Sequence, residues 1–183
     1  MTLYRIFPFD AAAGAGAPGG ALYRPRGGYG RIDNPERYRT LYASSDPQGA
    51  VAEALGRFPE WTTAVLDVNG VRRALATYEL RDREGGAPRF YDLDDAANLL
   101  ARGLRPSQVV TRDRRTTQRW ALQIFDEGSH DGAGWWSYYQ PAWRTVGLWK
   151  IEDLRVLGTP EPLTLAHPAV RLAAREIARV VRR

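Results

Sequence analysis

The stretch YGRIDNPERYRTLYASSDPQGAVAEALGRF, residues 29–58, decides how this chain is read. Arg31, Tyr42 and Glu53 recur in it at equal intervals of about three helical turns. No single helix can carry them, because Pro35 and Pro47 stand between them and a helix interior tolerates neither the ring nor the missing N–H. The regularity therefore comes from something other than one helix face: either it carries no meaning, or it marks three elements that each deliver one residue to a common site. YRPRGGYGRIDNP (23–35) reads as a loop, and RTLYAS (39–44) has the branched and aromatic character of a strand. A helix follows, with Ser45 as cap, Pro47 in the first turn and Gln48 at capping-box spacing. Ala50, Val51, Ala54, Leu55 and Phe58 form its apolar stripe, and Pro59 stops it. Glu53 lies beside the stripe, where a carboxylate can reach past the core edge into a groove.

Outward from this segment, strands and helices interleave without a βαβ period or an internal repeat. LYRIF (3–7), AVLDV (64–68), ALATYEL (74–80), GAGWWSYYQ (132–140), VGLWKI (146–151) and LRVLG (154–158) read as strands. DLDDAANLLARGL (92–104), TTQRWALQIFDEG (116–128) and HPAVRLAAREIARVV (167–181) read as helices, and residues 10–20 as a small-residue loop. In the strand at 132–140, alternation puts Trp135, Ser137 and Tyr139 on one face. The pattern predicts one α+β domain over 1–183 with a strongly bent or split mixed sheet.

Composition narrows the chemistry. At 183 residues the chain suits one domain with a sizeable core. There is no cysteine and only two histidines, His130 and His167, which removes thiolate nucleophiles and leaves little material for a metal site or a histidine-driven triad. No apolar run approaches a membrane span, and Arg5, Pro8 and Asp10 interrupt any export signal, so the expectation is a cytoplasmic protein without metal. The net charge of +5 is almost wholly arginine, since Lys150 is the single lysine. Arginine forks suit phosphates and carboxylates, although GC-rich coding produces the same bias.

The residues able to carry chemistry are Arg5, Arg31, Tyr42, Glu53 and Ser137. Each has an ordinary alternative. The arginines suit a surface, Tyr42 suits a core, Glu53 and Arg57 suit an exposed i,i+4 pair worth about 0.3–0.5 kcal/mol, and Ser137 suits a gap among aromatics.

These same residues carry a resemblance to the RES domain family, the toxins of RES–Xre toxin–antitoxin pairs. LYRI matches at Arg5, GRIDN at Arg31, LYAS at Tyr42, AVAEAL at Glu53 and DGAGWWSYY at Ser137. The similarity spans roughly residues 2–155. It departs from the family pattern at Ile32, where the family has tryptophan, and at Asp33, where it has asparagine, with Asn34 beside it. The resemblance implies an ADP-ribosyltransferase-like fold and an enzyme that consumes NAD by cleaving the nicotinamide–ribose bond, as a hydrolase or by phosphorolysis. By the same resemblance Glu53 stabilises the ribosyl cation, and Arg5 and Arg31 grip pyrophosphate or ribose. Tyr42 lines the nicotinamide side, and Ser137 bonds the ribose or orients Glu53. Gly27, Gly28 and Gly30 let backbone amides approach the phosphates, and Asn34 takes the role of the missing asparagine. An Xre-type helix-turn-helix antitoxin is the implied partner, with nucleic acid reached only through it and a homodimer left open. Transfer of ADP-ribose to a protein, a nucleic-acid-binding module and a partner-binding domain without catalysis are the rival readings.

Three further features read as structural. His130 sits in a polar turn. Asp92, Asp94 and Asp95 begin a helix, where carboxylates favour the N-terminal dipole. Arg171, Arg175, Arg179 and Arg182 are expected along one side of a basic helix within 160–183.

Overall fold

The computed structural model describes residues 1–82 and 89–182. Its strands are β1 (Thr2–Pro8), β2 (Leu41–Ser44), β3 (Glu60–Trp61), β4 (Asp67–Val68), β5 (Val71–Leu80), β6 (Phe90–Asp92), β7 (Gly132–Trp136), β8 (Arg144–Leu148), β9 (Leu154–Pro162) and β10 (Val180–Val181). The helices are α1 (Pro47–Leu55), α2 (Ala96–Ala101), α3 (Pro106–Val109), α4 (Arg114–Asp126) and α5 (Pro168–Glu176). Together they make a single α+β domain: an open, mixed sheet with helices against it.

The sheet runs β4–β5–β1–β2–β8–β7–β6. Only β6 and β7 pair in parallel; the other neighbours are antiparallel. It forks at β5, whose one edge is taken by β1 while β9 and the short β4 both pair with it as well. That fork is the split the sequence pattern suggested.

Alternation along β1 fixes which side chains meet. Tyr4 and Ile6 pack on one core, built from α1, α5 and the sheet around Val51, Leu55, Trp61, Leu75 and Val170. Leu3 and Phe7 point to the opposite face and pack with Tyr78, Leu41 and Val146. A third core forms under α4 from Ile32, Tyr38, Trp120, Ile124, Trp135 and Trp149. Leu55 is fully buried, so Leu55→Ala, at about 2–5 kcal/mol, is the single change most damaging to the seat of α1.

Several expectations from the sequence are corrected. Helix α1 is capped one residue later than the capping-box spacing implies. Asp46 holds the cap position without a side-chain cap bond, because the Ser45 hydroxyl donates instead to the adjacent Asp46 carboxylate at 2.6 Å. AVLDV is a 3-10 turn (Thr63–Leu66) that only then enters β4. Strand β7 stops at Trp136, so Ser137 and Tyr139 lie beyond it rather than on its face.

The closing helix ends at Glu176, not near 181. Ala178 adopts a left-handed φ of 51°, and Arg179 folds back to donate to the Gly56 carbonyl through Nε and Nη2 at 3.0 and 2.8 Å. Val180–Val181 then pairs in parallel with β3, and Arg182 bridges Glu60. The four arginines therefore do not form one helical stripe; Arg183 lies outside the described residues.

Candidate active site

A cavity of about 340 Å³ opens where the α1 core meets the α4 core. The sheet supplies its floor, with Tyr42 and Ser44 from β2, Thr145 from β8 and Trp135 from β7. Helix α1 supplies Ala50, Glu53 and Ala54 along one wall. The loop at 25–33 and the start of α4 supply Gly30, Arg31, Asp33 and Arg114 along the other.

Glu53 and Ser137 meet directly. The Ser137 hydroxyl donates to Glu53 Oε1 at 2.6 Å and accepts from the Tyr139 amide at 3.1 Å. Ser137 is 1 % exposed and its own amide donates to the Trp143 carbonyl at 2.7 Å, so two bonds hold the hydroxyl and a third holds its backbone. Glu53 is exposed at the wall. A buried serine thus fixes one carboxylate oxygen and leaves the other free to face a ligand.

Arg31 reaches the cavity from the glycine-rich loop. Its Nη1 donates to the carbonyls of Val109 and Thr111, the latter at 2.8 Å. Arg114 donates to the same Thr111 carbonyl at 3.1 Å and, through Nε, to Tyr29 at 3.0 Å. Two guanidiniums therefore sit side by side on one acceptor. Burial, and then the neighbouring Arg114, lowers the Arg31 pKa to about 10, with Glu53 and Tyr42 opposing. Like charges brought together beside a cavity are relieved by an anion.

Tyr42 and Asp33 form a knot that shapes the loop. The Tyr42 hydroxyl donates to Asp33 Oδ1 at 2.7 Å and accepts from the Ile32 amide at 3.0 Å, while Gly30 N donates to Asp33 Oδ2 at 2.7 Å. Burial and then the Asp33 charge raise the Tyr42 pKa well above its ordinary value. Asp33 is therefore occupied within the loop, and its charge is matched by hydrogen-bond donors rather than aimed at a ligand. Ile32, fully buried, fills the space beside Gly147, where any Cβ would collide with it.

The remaining sequence candidates stand apart from the cavity or are tied up at its edge. Arg5 contributes to the wall, but its guanidinium follows Leu3 and Phe7 to the opposite face of the sheet. There it donates to the Ala21 carbonyl at 3.0 Å, beside Tyr78, whose hydroxyl donates to the same carbonyl at 2.6 Å. Burial lowers its pKa. Asn34 bonds the Tyr38 hydroxyl at 2.8 Å and the Gln118 carbonyl at 3.0 Å, and is used to hold the loop on α4. The Gly28 and Gly30 carbonyls both accept from Gln118 Nε2, at 2.9 and 3.0 Å.

Arg114 and Thr145 line the cavity and Gln118 holds its loop, and the sequence reading singled out none of the three. The signal for Arg114 and Gln118 was Asp113, which caps α4 by accepting from Arg115 and Thr116. Reading that cap starts the helix at Arg114 and puts Arg114 and Gln118, four apart, on one face toward the loop. Nothing in the sequence marks Thr145.

An open mixed sheet carrying a carboxylate–serine pair opposite two arginines defines an α+β domain with one composite site drawn from both halves of the chain. The model of the RES domain matches residues 2–174, and the chain belongs to that family. The match continues past residue 155 through most of α5. Among solved structures, the chain is similar to the MbcT toxin in the crystal structure of the M. tuberculosis MbcT–MbcA toxin–antitoxin complex. The TM-score is 0.64 at 16 % identity over 97 % of this chain and 88 % of that one, a likeness of fold. No curated protein matches the chain.

Proposed function

We propose that this protein is a toxin-type enzyme that consumes NAD by breaking the bond between ribose C1′ and the nicotinamide nitrogen. The Ser137–Glu53 hydrogen bond of 2.6 Å carries the reading. Nicotinamide leaves as a neutral ring that takes the bonding electron pair, so no general acid is needed. What the reaction requires is a fixed negative charge facing the ribosyl cation. Glu53 supplies that charge, held in place by a buried hydroxyl. When water is the acceptor, its oxygen bonds C1′ and its proton passes to Glu53 and then to solvent. Arg31 and Arg114 hold the pyrophosphate, and the Tyr42–Trp135 wall, with ring centroids 6.4 Å apart, receives the nicotinamide. Arg5 anchors the 10–22 loop rather than touching the substrate.

The fold likeness to a protein crystallised in a toxin–antitoxin complex supports an antitoxin as partner, and the family points to one with an Xre-type helix-turn-helix. Among the described residues no helix is long and apolar enough to cross a membrane.

The test is nicotinamide release from NAD by purified protein, wild type against Glu53→Gln, with and without phosphate. Release by wild type and its loss in the variant support the reading, and the phosphate arms identify the acceptor. Intact NAD in both arms with folded wild type sinks it. A protein acceptor is a second reading, favoured by the open groove beyond Ser137, where Tyr138 stands half exposed beneath Arg112 at 5.5 Å.

A further inference from the structure

Thr145 lines the cavity, is 5 % exposed, and its hydroxyl oxygen has no hydrogen-bond partner within the protein. Buried hydroxyls without a partner are rare, because losing water without replacement costs about 1–3 kcal/mol. The neighbouring polar side chain on the floor is not in this state, since the Ser44 hydroxyl donates to the Arg144 carbonyl at 3.0 Å.

The strand register places Thr145 within the site. It pairs with Ser44 on one side and with Trp135 on the other. Trp136 pairs with Arg144, and the next residue is Ser137, which holds Glu53. Thr145 is therefore the floor residue level with Trp135, and Ser137, whose amide bonds the Trp143 carbonyl, lies two positions further along the same sheet. Thr40 also has an unpartnered hydroxyl on the cavity floor, but the same register sets it beyond Tyr42, at the end away from Ser137.

We propose that the Thr145 hydroxyl binds the carboxamide of the nicotinamide ring and so selects carboxamide-bearing pyridines at this end of the cavity. The inference rests on the reading that the site cleaves NAD. A carboxamide brings two N–H donors and a carbonyl acceptor to a part of the cleft where Trp135 and Ala50 are apolar and the Ser44 and Tyr42 hydroxyls already donate to the Arg144 carbonyl and to Asp33, so it needs a partner there. A threonine hydroxyl rotates to donate or to accept. The leaving ring must lie next to the bond being broken, and that bond must lie at Glu53.

The test is an NMR titration of nicotinamide and of 3-methylpyridine into wild type, Thr145→Val and Thr145→Ser. Valine keeps the shape and removes only the hydroxyl. The expected result is that wild type prefers nicotinamide by about three- to tenfold, the worth of one hydrogen bond. Valine then abolishes the preference with an unchanged or higher Tm, and serine retains it. Equal binding of the two rings by wild type overturns the proposal and leaves the NAD reading standing. So does a preference that survives in Thr145→Val, or a valine variant that loses stability, which would show the hydroxyl to be satisfied within the fold. Binding of neither ring by folded wild type overturns the proposal together with the reading beneath it.

Discussion

The hydroxyl of Ser137 donates to Glu53 across 2.6 Å, joining the turn after β7 to the last turn of α1. The carboxylate gains position from this bond, and the serine gains a strong acceptor in a place closed to water. Ser137→Ala should therefore lower kcat for nicotinamide release by about 10- to 100-fold, the range expected for a hydrogen bond to a charged group. KM should change less, which separates loss of positioning from loss of binding. Glu53→Gln should lose more than Ser137→Ala, because the charge itself disappears.

The two glycines of the loop should respond differently to alanine. A Cβ on Gly30 would overlap the Tyr42 hydroxyl and both Asp33 oxygens, whereas one on Gly28 meets only Pro35 at 4.0 Å. Gly30→Ala should lower Tm by several degrees and weaken NAD binding, while Gly28→Ala should leave Tm within about a degree or two. Thermal unfolding of the two variants side by side is the measurement.

Tyr42→Phe removes the hydroxyl that both donates to Asp33 and accepts from Ile32. The cost should be about 1–3 kcal/mol in urea unfolding, because a carboxylate and a buried amide each lose a partner.

The same tyrosines set the alkaline limit. Burial raises Tyr38 to about 12 and raises Tyr42 well above its usual range. The folded protein thus keeps protons that the unfolded chain gives up from about pH 10, so the stability these groups contribute is full below pH 10 and lost as pH rises through their folded values. Arg31, lowered to about 10, acts in the opposite direction: as pH rises past its folded value the folded form releases a proton that the unfolded chain retains, which favours folding there. The part of the alkaline decline that Tyr42 carries should disappear in Tyr42→Phe, so urea unfolding from about pH 9 to 12 should change less steeply with pH in that variant than in wild type.

Arg179→Ala should cost about 1–3 kcal/mol by leaving the Gly56 carbonyl without the two donors it now accepts from. It should also release β10 from β3, readable as faster amide exchange at Val181 and Arg182.

Much of this was legible in the sequence because it rests on local pattern. The apolar stripe of α1, the proline after it and the strand around Tyr42 follow from periodicity alone, whereas placing Glu53 and Tyr42 at one site rested on the family resemblance. The errors arose where a distant partner overrode local preference. Ser45 left its capping role for a carboxylate next door, and the last helix gave way where Arg179 found the Gly56 carbonyl. Arg5 lines the cavity through its strand, while alternation with Leu3 and Phe7 carries its guanidinium to the Ala21 carbonyl. Thr145 carries no signal in sequence at all, since an unpartnered hydroxyl is defined only by what surrounds it.

The distance along the chain between Glu53 and Ser137 has one more consequence. The floor at β7 and β8 and the serine that holds the carboxylate belong to the later part of the polypeptide, while the carboxylate and the arginine loop belong to the earlier part. During synthesis the first half emerges with Glu53, Arg31 and the β2 strip of the floor, but without β7, β8 or the serine clamp. A nascent chain still short of β8 therefore holds the carboxylate without the strands and the serine that complete the cavity around it.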